Sequence, residues 1–341
     1  MIPLLDEQST SALAHLLEHV LPHLDQRGNL ALVRSHYLGA AMGNFLEGKV
    51  VAITGAGNGI GRAVALAVAA EGGKVVVADY GVGMAGEDPT SAVADAVVAE
   101  IVALGGEAIA VADDVSTMEG GSHVVQAAMD AWGRIDGVVC VAGILRERML
   151  FNMSEDEWDA VIAVHLKGHF TLFRAASAVM RKQETGGALI GFTSGAFAGS
   201  VAQANYSAAK GGIVSLVRSA AAGLYRYNIT SNAIAPVART RMSANVPMEL
   251  DEMGDPEDIA PMVVYLLSDQ AKHVTGQIYT VVGKRISVWN QPEEVRSMFT
   301  EERWTPEEIA GRLDGEVSVE RLTIIDKLEA YRKAAAEKAN S

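Results

Sequence analysis

Short apolar runs rich in β-branched residues alternate with longer amphipathic segments through most of the chain. An apolar run of about 4–8 residues is typical of a strand buried in a parallel sheet. The predicted strands cover residues 50–53, 74–78, 108–112, 137–141, 188–192, 230–235 and 278–282. Because helices are predicted between them, the pattern indicates an α/β fold with a single, doubly wound parallel sheet.

The segments between these strands carry apolar residues at helical spacing. Helices are predicted at residues 62–71, 93–104, 124–132, 206–226 and 259–267. One more begins at Ser154-Glu155-Asp156-Glu157, which has the pattern of a capping box, and runs through Phe173. Residues that follow the predicted strands should meet at one edge of the sheet, where ligands bind in such folds. They are Gly55, Asp79, Asp114, Gly143, Ser194 and Pro236.

Two extensions flank this region. Residues 1–48 predict a helix that Pro22 interrupts and a second helix at 30–45. Residues 290–341 are acidic and then of mixed charge, with a helix predicted at 319–335. The predicted organisation is an N-terminal helical extension (1–48), a central domain (49–289) and a C-terminal helical tail (290–341). We expect the tail to pack on the domain or on a neighbouring subunit.

Composition narrows the classes of function. The 341 residues carry a formal net charge of −14, which opposes non-specific nucleic-acid binding. No apolar run is long enough to span a membrane, and the acidic N-terminus resembles no export signal. The single cysteine, Cys140, lies in an apolar run and fits a reducing cytoplasm. The histidines at 15, 19, 23 and 36 are interpreted as structural, and no metal site is predicted.

A glycine-rich turn follows the first predicted strand. Thr54-Gly55-Ala56-Gly57-Asn58-Gly59-Ile60-Gly61 leads directly into an alanine-rich helix. Such a strand, glycine turn and helix place backbone N–H groups against a phosphate. Asp79 ends the next strand, where its carboxylate can accept hydrogen bonds from both hydroxyls of an adenosine ribose. Since that carboxylate would repel a 2′-phosphate, the sequence predicts NAD rather than NADP.

Tyr206 and Lys210 are four residues apart in a predicted helix and should share one face. An ammonium close to a phenol favours the phenolate and lowers its pKa from about 10. The tyrosine could then act as a general base toward an alcohol. A hydroxyl about a dozen residues earlier, Ser194 or Thr193, could hold the substrate oxygen beside it.

With these motifs in place, residues 49–289 resemble the short-chain dehydrogenase/reductase family. The resemblance rests on Thr54-Gly55-x-x-x-Gly59-x-Gly61, Asp114-Val115, Ala142-Gly143, Tyr206-x-x-x-Lys210 and Asn232-Ala233-Ile234-Ala235-Pro236. Within the family the chain is most similar to the (3R)-hydroxyacyl-CoA dehydrogenase domain of multifunctional enzyme type 2 and its bacterial relatives. Stretches 78–81, 143–150, 164–168 and 238–242 carry that finer similarity. The implied fold is Rossmann-like, and a homodimer or homotetramer is implied.

The resemblance implies roles for individual residues. Tyr206 would be the acid/base, Lys210 would hold the nicotinamide ribose and lower the pKa of Tyr206, and Ser194 would position the substrate oxygen. His165 stands where most of the family has an asparagine that supports a proton relay, and it could keep that relay. The implied NAD-binding residues are Gly55, Asn58, Gly59, Ile60, Gly61, Asp79, Asp114, Val115, Ala142, Gly143, Tyr206, Lys210, Pro236 and Thr240.

The chain departs from the family pattern at three places. Cys140-Val141 replaces a usual pair of asparagines, and we interpret Cys140 as a small buried apolar residue. Pro236-Val237 replaces Pro-Gly and stiffens that turn. The serine register is ambiguous, because counting back from Tyr206 selects Thr193 whereas matching the strand selects Ser194. We choose Ser194, since a one-residue slip would turn every side chain of the strand over.

The leading hypothesis is NAD-dependent oxidation of a secondary alcohol on a bulky hydrophobic substrate, such as a 3-hydroxyacyl-CoA or a hydroxysteroid. Methionines between residues 241 and 255 would line an apolar lid or, alternatively, a subunit contact. Arg146, Arg148, Arg239 and Arg241 could meet a CoA phosphate or pair with acidic side chains. The alternatives are a ketoreductase acting on a β-keto thioester or polyketide intermediate, and a non-catalytic NAD-binding scaffold.

Overall fold

The computed structural model describes residues 44–82, 89–239, 253–318 and 321–339. It divides into two compact units, Met1–Trp289 and Asn290–Ser341. The helices predicted for the N-terminal extension, with their four histidines, lie outside the described residues except for Asn44 and Phe45, which are not helical. Thr240 and most of the predicted lid lie outside them as well.

The first unit is built on one eight-stranded sheet in the order β3-β2-β1-β4-β5-β6-β7-β8. Strands β1 to β7 are parallel, and β8 is antiparallel to β7. The strands are β1 (Val50–Thr54), β2 (Lys74–Ala78), β3 (Ala108–Val111), β4 (Gly137–Cys140), β5 (Gly187–Phe192), β6 (Ile229–Pro236), β7 (Ile278–Val282) and β8 (Arg285–Val288). The predicted α/β fold with a doubly wound, Rossmann-like sheet is confirmed.

Helices cover both faces of this sheet. They are α1 (Gly59–Ala70), α2 (Ala92–Ala103), α3 (Met118–Trp132), α4 (Glu155–Val161), α5 (Gly168–Gln183), α6 (Ala204–Leu224) and α7 (Pro256–Leu267). Apolar residues of α1, α2 and α7 form one core cluster with one face of the strands, and residues of α3, α5 and α6 form the other. Because the sheet is covered on both faces, the central strands consist mostly of apolar residues. Burying each large apolar side chain contributes roughly 1.5–3 kcal/mol to the free energy of unfolding.

The structure corrects several predicted boundaries. Helix α3 begins at Met118, six residues before the predicted start at 124, because the Thr117 side chain caps it through Gly120 N. The capping box at Ser154 is confirmed, but the helix that it opens is not uniform. A π-helical segment, Ile162–Lys167, joins α4 to α5. Strand β8 was not predicted, because its residues are mostly exposed and carry no apolar run.

The order of the strands creates the crevice that the site occupies. Strand β1 pairs with β2 on one side and with β4 on the other, so the chain runs outward from β1 to β3 and then crosses back to the opposite side of β1. The carboxyl end of a sheet at such a point is where ligands bind in this class of fold. Residues after β1, β2, β3, β4, β5 and β6 lie at that edge, as the sequence predicted for Gly55, Asp79, Asp114, Gly143, Ser194 and Pro236.

The described residues of the second unit form two helices, α8 (Pro306–Glu316) and α9 (Thr323–Ala339). Helix α8 was not predicted, although Thr305 and Glu308 form a capping box at its start. The predicted tail helix begins at Thr323 rather than at 319. Arg321 forms an ion pair with Glu329 at 2.8 Å. The assignment of residues 290–341 to packing on the domain or on a neighbouring subunit stays a prediction.

Candidate active site

The glycine turn after β1 is held by close backbone approaches. A Cβ atom on Gly61 would lie 2.1 Å from the carbonyl oxygen of Gly55. A Cβ atom on Gly55 would lie 2.7 Å from the backbone nitrogen of Ala142, and Gly55 has a φ of 65°. Any larger residue at either position would therefore push the turn away from β4 and α1.

The N-terminus of α1 has the features of an anion site. Asn58 occupies the N-cap position in an extended conformation and makes no side-chain capping hydrogen bond. The first turn, which includes Gly59 and Ile60, carries no acidic residue. The first backbone N–H groups of the helix and the positive end of its dipole therefore face the turn, and no carboxylate from the helix itself neutralises them. These residues fit a phosphate group.

Asp79 is fixed at the end of β2 by two backbone groups. Gly57 N donates to Oδ2 of Asp79 at 2.8 Å, and Gly81 N donates to Oδ1 at 2.8 Å. A Cβ atom on Gly57 would lie only 2.8 Å from Oδ2. The carboxylate is thus held directly beside the glycine turn and is partly exposed. This placement fits recognition of a ribose next to the phosphate site.

The ends of β3 and β4 complete this side of the crevice. Asp114 Oδ1 accepts a hydrogen bond from Ser116 N at 2.9 Å, and the carbonyl of Val115 accepts one from Thr171 Oγ1 at 2.7 Å. Thr54 Oγ1 accepts a hydrogen bond from Ala142 N at 3.3 Å, which ties the ends of β1 and β4 together. Cys140 is buried, as interpreted from the sequence, and burial raises the pKa of its thiol.

The structure brings Ser194, Tyr206 and Lys210 together at the end of β5. Tyr206 and Lys210 are one turn apart on α6, and Lys210 Nζ lies 5.3 Å from the centre of the Tyr206 ring. Hydrogen bonding from the Ser194 side chain lowers the pKa of the Tyr206 phenol. The Ser194 oxygen also accepts a hydrogen bond from Ala196 N at 3.2 Å, which fixes its direction.

The titration of Tyr206 differs from the expectation. Burial raises its pKa above the ordinary value of 10.0, and the hydrogen bond from Ser194 only partly offsets this effect. Burial also lowers the pKa of Lys210 to about 7, so the lysine carries less positive charge near neutral pH. Lys210 Nζ donates to the backbone carbonyl of Phe192 at 2.6 Å. The expected lowering of the Tyr206 pKa by Lys210 is therefore not seen in this structure.

His165 lies against Tyr206 inside the π-helical segment. The two rings meet edge to face, with centroids 5.2 Å apart. His165 Nε2 lies 2.8 Å from the carbonyl oxygen and 3.1 Å from the nitrogen of Ile144. Its Nδ1 atom is buried and has no hydrogen-bond partner among the described residues. Burial, with the nearby charge of Lys210, holds the pKa of His165 well below its usual range, so the ring is neutral.

Thr193, the alternative to Ser194, has a different partner. It is 2% exposed. Its hydroxyl donates to the backbone carbonyl of Lys210 at 2.8 Å. Thr193 thus joins β5 to α6, whereas Ser194 is the hydroxyl that reaches the Tyr206 phenol.

Two buried polar residues around this group were missed by the sequence interpretation. Asn205 donates through Nδ2 to the carbonyls of Arg146 and Glu157, and its Oδ1 accepts from Tyr206 N at 2.7 Å. His169 contacts both His165 and Phe192. The sequence did contain a signal for His169. It lies four residues after His165, and this spacing places both rings on one face of a helix.

The arginines considered for a CoA phosphate are mostly engaged by other groups. Arg148 pairs with Glu157 at 2.6 Å, and Arg239 pairs with Asp255 at 3.0 Å. Arg146 Nη1 donates to the carbonyl of Leu145. Arg241 lies outside the described residues. The alternative interpretation, pairing with acidic side chains, thus describes Arg148 and Arg239.

Two features are absent from the described residues. None of their helices combines the length and apolar character that crossing a bilayer requires. Within the same residues, no group of three or more His, Cys, Asp or Glu side chains is placed to hold a metal ion.

Comparison with known proteins identifies a family and several similar sequences. A family model described as Enoyl-(Acyl carrier protein) reductase matches residues 55–283. The hydroxyacyl-CoA dehydrogenase ChsB1 of Mycobacterium tuberculosis is 39% identical over 285 residues, which cover 79% of this chain and 88% of that protein. A 3-oxoacyl-[acyl-carrier-protein] reductase of Synechocystis is 40% identical over 248 residues, 70% of this chain and 97% of its own.

A longer protein and a solved structure extend the comparison. The peroxisomal multifunctional enzyme type 2 of Mus musculus is 44% identical over 231 residues, 67% of this chain but only 31% of that protein. The crystal structure of a short chain dehydrogenase from Mycobacterium avium superposes with a TM-score of 0.73 at 45% identity, covering 81% of this chain and 97% of that one. The chain therefore belongs to the short-chain dehydrogenase/reductase family and is an NAD(P)-dependent oxidoreductase.

Proposed function

We propose that the protein oxidises a secondary alcohol on a hydrophobic, CoA-linked substrate to the ketone, with NAD as the hydride acceptor. The observation that carries this proposal is the arrangement of Ser194, Tyr206 and Lys210 at the end of β5. The side chain of Ser194 acts on the Tyr206 phenol and lowers its pKa. Lys210 is fixed one helical turn away by the Phe192 carbonyl. A residue set of this kind can hold an oxygen and move its proton.

Each side chain has a separate task in this mechanism. Ser194 and Tyr206 hydrogen-bond the substrate oxygen from one side, and Tyr206 takes its proton as the carbonyl forms. Lys210 and the neutral His165 are buried next to the Tyr206 ring and can accept the proton that Tyr206 takes from the substrate. NAD, when bound, supplies the hydride acceptor. Gly55, Gly61 and the N-terminus of α1 would hold its pyrophosphate, and Asp114, Val115, Ala142, Gly143 and Pro236 would line the rest of its site.

Asp79 supports NAD over NADP. Its carboxylate is anchored by two backbone N–H groups beside the glycine turn. A fixed negative charge there can accept hydrogen bonds from the ribose hydroxyls and would repel a 2′-phosphate. Arg62, the first basic residue after the turn, forms hydrogen bonds with both carboxylate oxygens of Glu100. That pairing reduces its ability to compensate for Asp79.

The class of substrate is supported by the similar proteins. Two of them are a hydroxyacyl-CoA dehydrogenase and a multifunctional enzyme type 2.

A second candidate is the reverse reaction on a β-keto thioester. The raised pKa of Tyr206 favours it, because a protonated phenol is the form that gives a proton to a carbonyl. A 3-oxoacyl-[acyl-carrier-protein] reductase is also among the similar proteins. A non-catalytic scaffold would have no use for the assembled Ser194, Tyr206 and Lys210.

Two finer proposals concern the setting of this activity. We propose a cytoplasmic protein, because a single cysteine offers no disulfide framework and fits a reducing compartment. We further propose a homodimer or homotetramer, as the family resemblance implies.

The experiment is a set of initial-rate measurements with 3-hydroxyacyl-CoA esters of increasing chain length and with hydroxysteroids, using NAD and NADP in parallel. Formation of NADH with the acyl-CoA esters, abolished by Tyr206→Phe, is the expected result. The matching 3-ketoacyl-CoA esters with NADH or NADPH test the reverse direction. Efficient turnover only with NADPH and keto substrates would select the reductase. Cofactor binding without turnover on any substrate would contradict both.

A further inference from the structure

His169 has a partner for each ring nitrogen although it is almost completely buried. Its exposed fraction is 1%. Nδ1 lies 2.6 Å from the backbone carbonyl of His165, and Phe192 N donates to Nε2 at 3.0 Å. The ring therefore bridges the π-helical segment and the last residue of β5.

These two contacts fix the tautomer of His169. The backbone N–H of Phe192 can only donate, so Nε2 must be the acceptor and Nδ1 must carry the proton toward His165. A proton on Nε2 would face the Phe192 N–H. Burial, together with the charge of Lys210, lowers the pKa of His169 to about 3, which agrees with a neutral ring.

Phe192 lies at the end of the pairing between β4 and β5. Strand β4 ends at Cys140, which pairs with Gly191. Phe192 is the next residue of β5, and no residue of β4 pairs with it. His169 accepts its N–H, and Lys210 Nζ donates to its carbonyl at 2.6 Å. His169 and Lys210 thus contact the two peptide groups of Phe192 at the point where the pairing of β4 with β5 ends.

We propose that His169 is a positioning residue for Lys210, acting through the peptide groups of Phe192. By holding the N–H of Phe192, it fixes the carbonyl that receives Lys210 Nζ. His169 also donates to the backbone carbonyl of His165, whose ring lies against Tyr206. This contact fixes the position of His165 relative to the end of β5. The proposal rests on the proposed function for the role of Lys210 in turnover, but the placement of Lys210 can be tested without turnover.

Three substitutions separate the two contacts of the ring. His169→Gln can bring an amide oxygen near the position of Nε2 and so can still accept from Phe192. His169→Asn can bring an amide nitrogen near the position of Nδ1 and so can still donate to His165, but it cannot reach Phe192. His169→Phe retains the volume and loses both contacts. His123, which is on the surface of α3, provides the control His123→Gln.

The first measurement follows Lys210 in the full-length protein labelled with 13C at lysine Cε, by NMR titration between pH 5 and 9. The signal is assigned by its absence in Lys210→Met. A carbonyl that accepts from Nζ favours the ammonium form, so losing it should lower the midpoint by roughly one pH unit in His169→Asn. His169→Gln and His123→Gln should keep the wild-type midpoint.

The second measurement is kcat and KM as a function of pH with the best substrate and NAD. A displaced Lys210 should reduce kcat by roughly 10- to 100-fold in His169→Asn, whereas His169→Gln should stay near wild type.

A merely structural role would lower the thermal midpoint of unfolding in both variants and leave the Lys210 midpoint unchanged. That result, or equal shifts in the Asn and Gln variants, would overturn the proposal. If the wild type showed no turnover, the proposed function would fail while the NMR titration still tested His169.

Discussion

The hydroxyl of Thr193 donates a 2.8 Å hydrogen bond to the backbone carbonyl of Lys210. This contact joins the end of β5 to the helix that carries Tyr206, and it leaves the adjacent Ser194 as the hydroxyl that reaches the phenol. Adjacent residues of an extended segment point to opposite sides, so only one of the two can face the crevice. The structure therefore gives the two hydroxyls separate tasks.

Ser194→Ala should reduce kcat by roughly 10²- to 10³-fold and leave stability nearly unchanged, because it removes a hydrogen bond to the reacting oxygen. Thr193→Val should do the opposite. It should lower the free energy of unfolding by about 1–3 kcal/mol, since the buried carbonyl of Lys210 loses a donor, and it should affect kcat much less. Steady-state rates and urea unfolding of both variants measure the difference. A larger loss of kcat in Thr193→Val would mean that Thr193 is the catalytic hydroxyl.

Tyr206→Phe should lower kcat by roughly 10²- to 10⁴-fold, the usual contribution of a general acid or base, while NAD still binds. Rate measurements and titration of NADH fluorescence test the two parts of this prediction. Tyr225→Phe is the matched control, because Tyr225 is 74% exposed at the end of α6. Retention of more than a tenth of the wild-type kcat in Tyr206→Phe would remove Tyr206 from the mechanism.

Asp79→Ala should weaken NAD and improve NADP, because it removes the carboxylate beside the glycine turn. We expect the ratio of kcat/KM for NAD to that for NADP to fall at least about 10-fold, which corresponds to about 1.4 kcal/mol. Asp130→Asn, which alters a partner of Gln126 on the surface of α3, is the control. An unchanged ratio in Asp79→Ala would show that another residue sets the cofactor preference.

The stability of the protein should rise with pH between about 7 and 9. Lys210 has a folded pKa of about 7 against an ordinary value of 10.5, so in this window the unfolded chain holds a proton that the folded protein releases. The free energy of unfolding then increases by up to about 1.4 kcal/mol per pH unit. The thiol of Cys140 acts in the opposite direction only above its ordinary value of 9.0, because burial raises its pKa.

Lys210→Met tests this relation. The variant should lose the slope between pH 7 and 9 and should be more stable than the wild type at pH 7, because it buries no amine. Urea unfolding at several pH values measures both effects. Lys182→Met, which changes a lysine in the last turn of α5, is the control and should keep the wild-type slope. A slope that persists in Lys210→Met would show that another group releases the proton.

Turnover should depend on pH in opposite ways for the two directions. Because burial raises the pKa of Tyr206, alcohol oxidation should accelerate as pH increases from 7 to 10, and ketone reduction should be fastest at the lower end of that range. Profiles of kcat/KM in both directions measure this. An oxidation rate that is flat above pH 7 would show that the bound cofactor or substrate lowers the pKa of Tyr206 to neutrality, as the sequence interpretation expected.

The sequence alone determined the sheet and the edge at which the site lies. Uniformly apolar runs such as residues 50–53 and 188–192 can be stable only when both faces are covered, so their alternation with helices already required a doubly wound sheet. The glycine turn, Asp79 and the Tyr206–Lys210 spacing could also be predicted from the sequence, because each depends on local geometry. Strand β8 could not be predicted, since an exposed edge strand needs no apolar pattern.

Only the tertiary structure decided which polar groups around the site are partners. Thr193 and Ser194 have similar side chains, and the position of α6 relative to β5 determines which hydroxyl meets Tyr206. The π-helical segment and the bridge made by His169 depend on the point at which β4 stops pairing with β5. Burial sets the pKa values of Tyr206 and Lys210, and burial is a property of the packed protein rather than of the spacing between two residues.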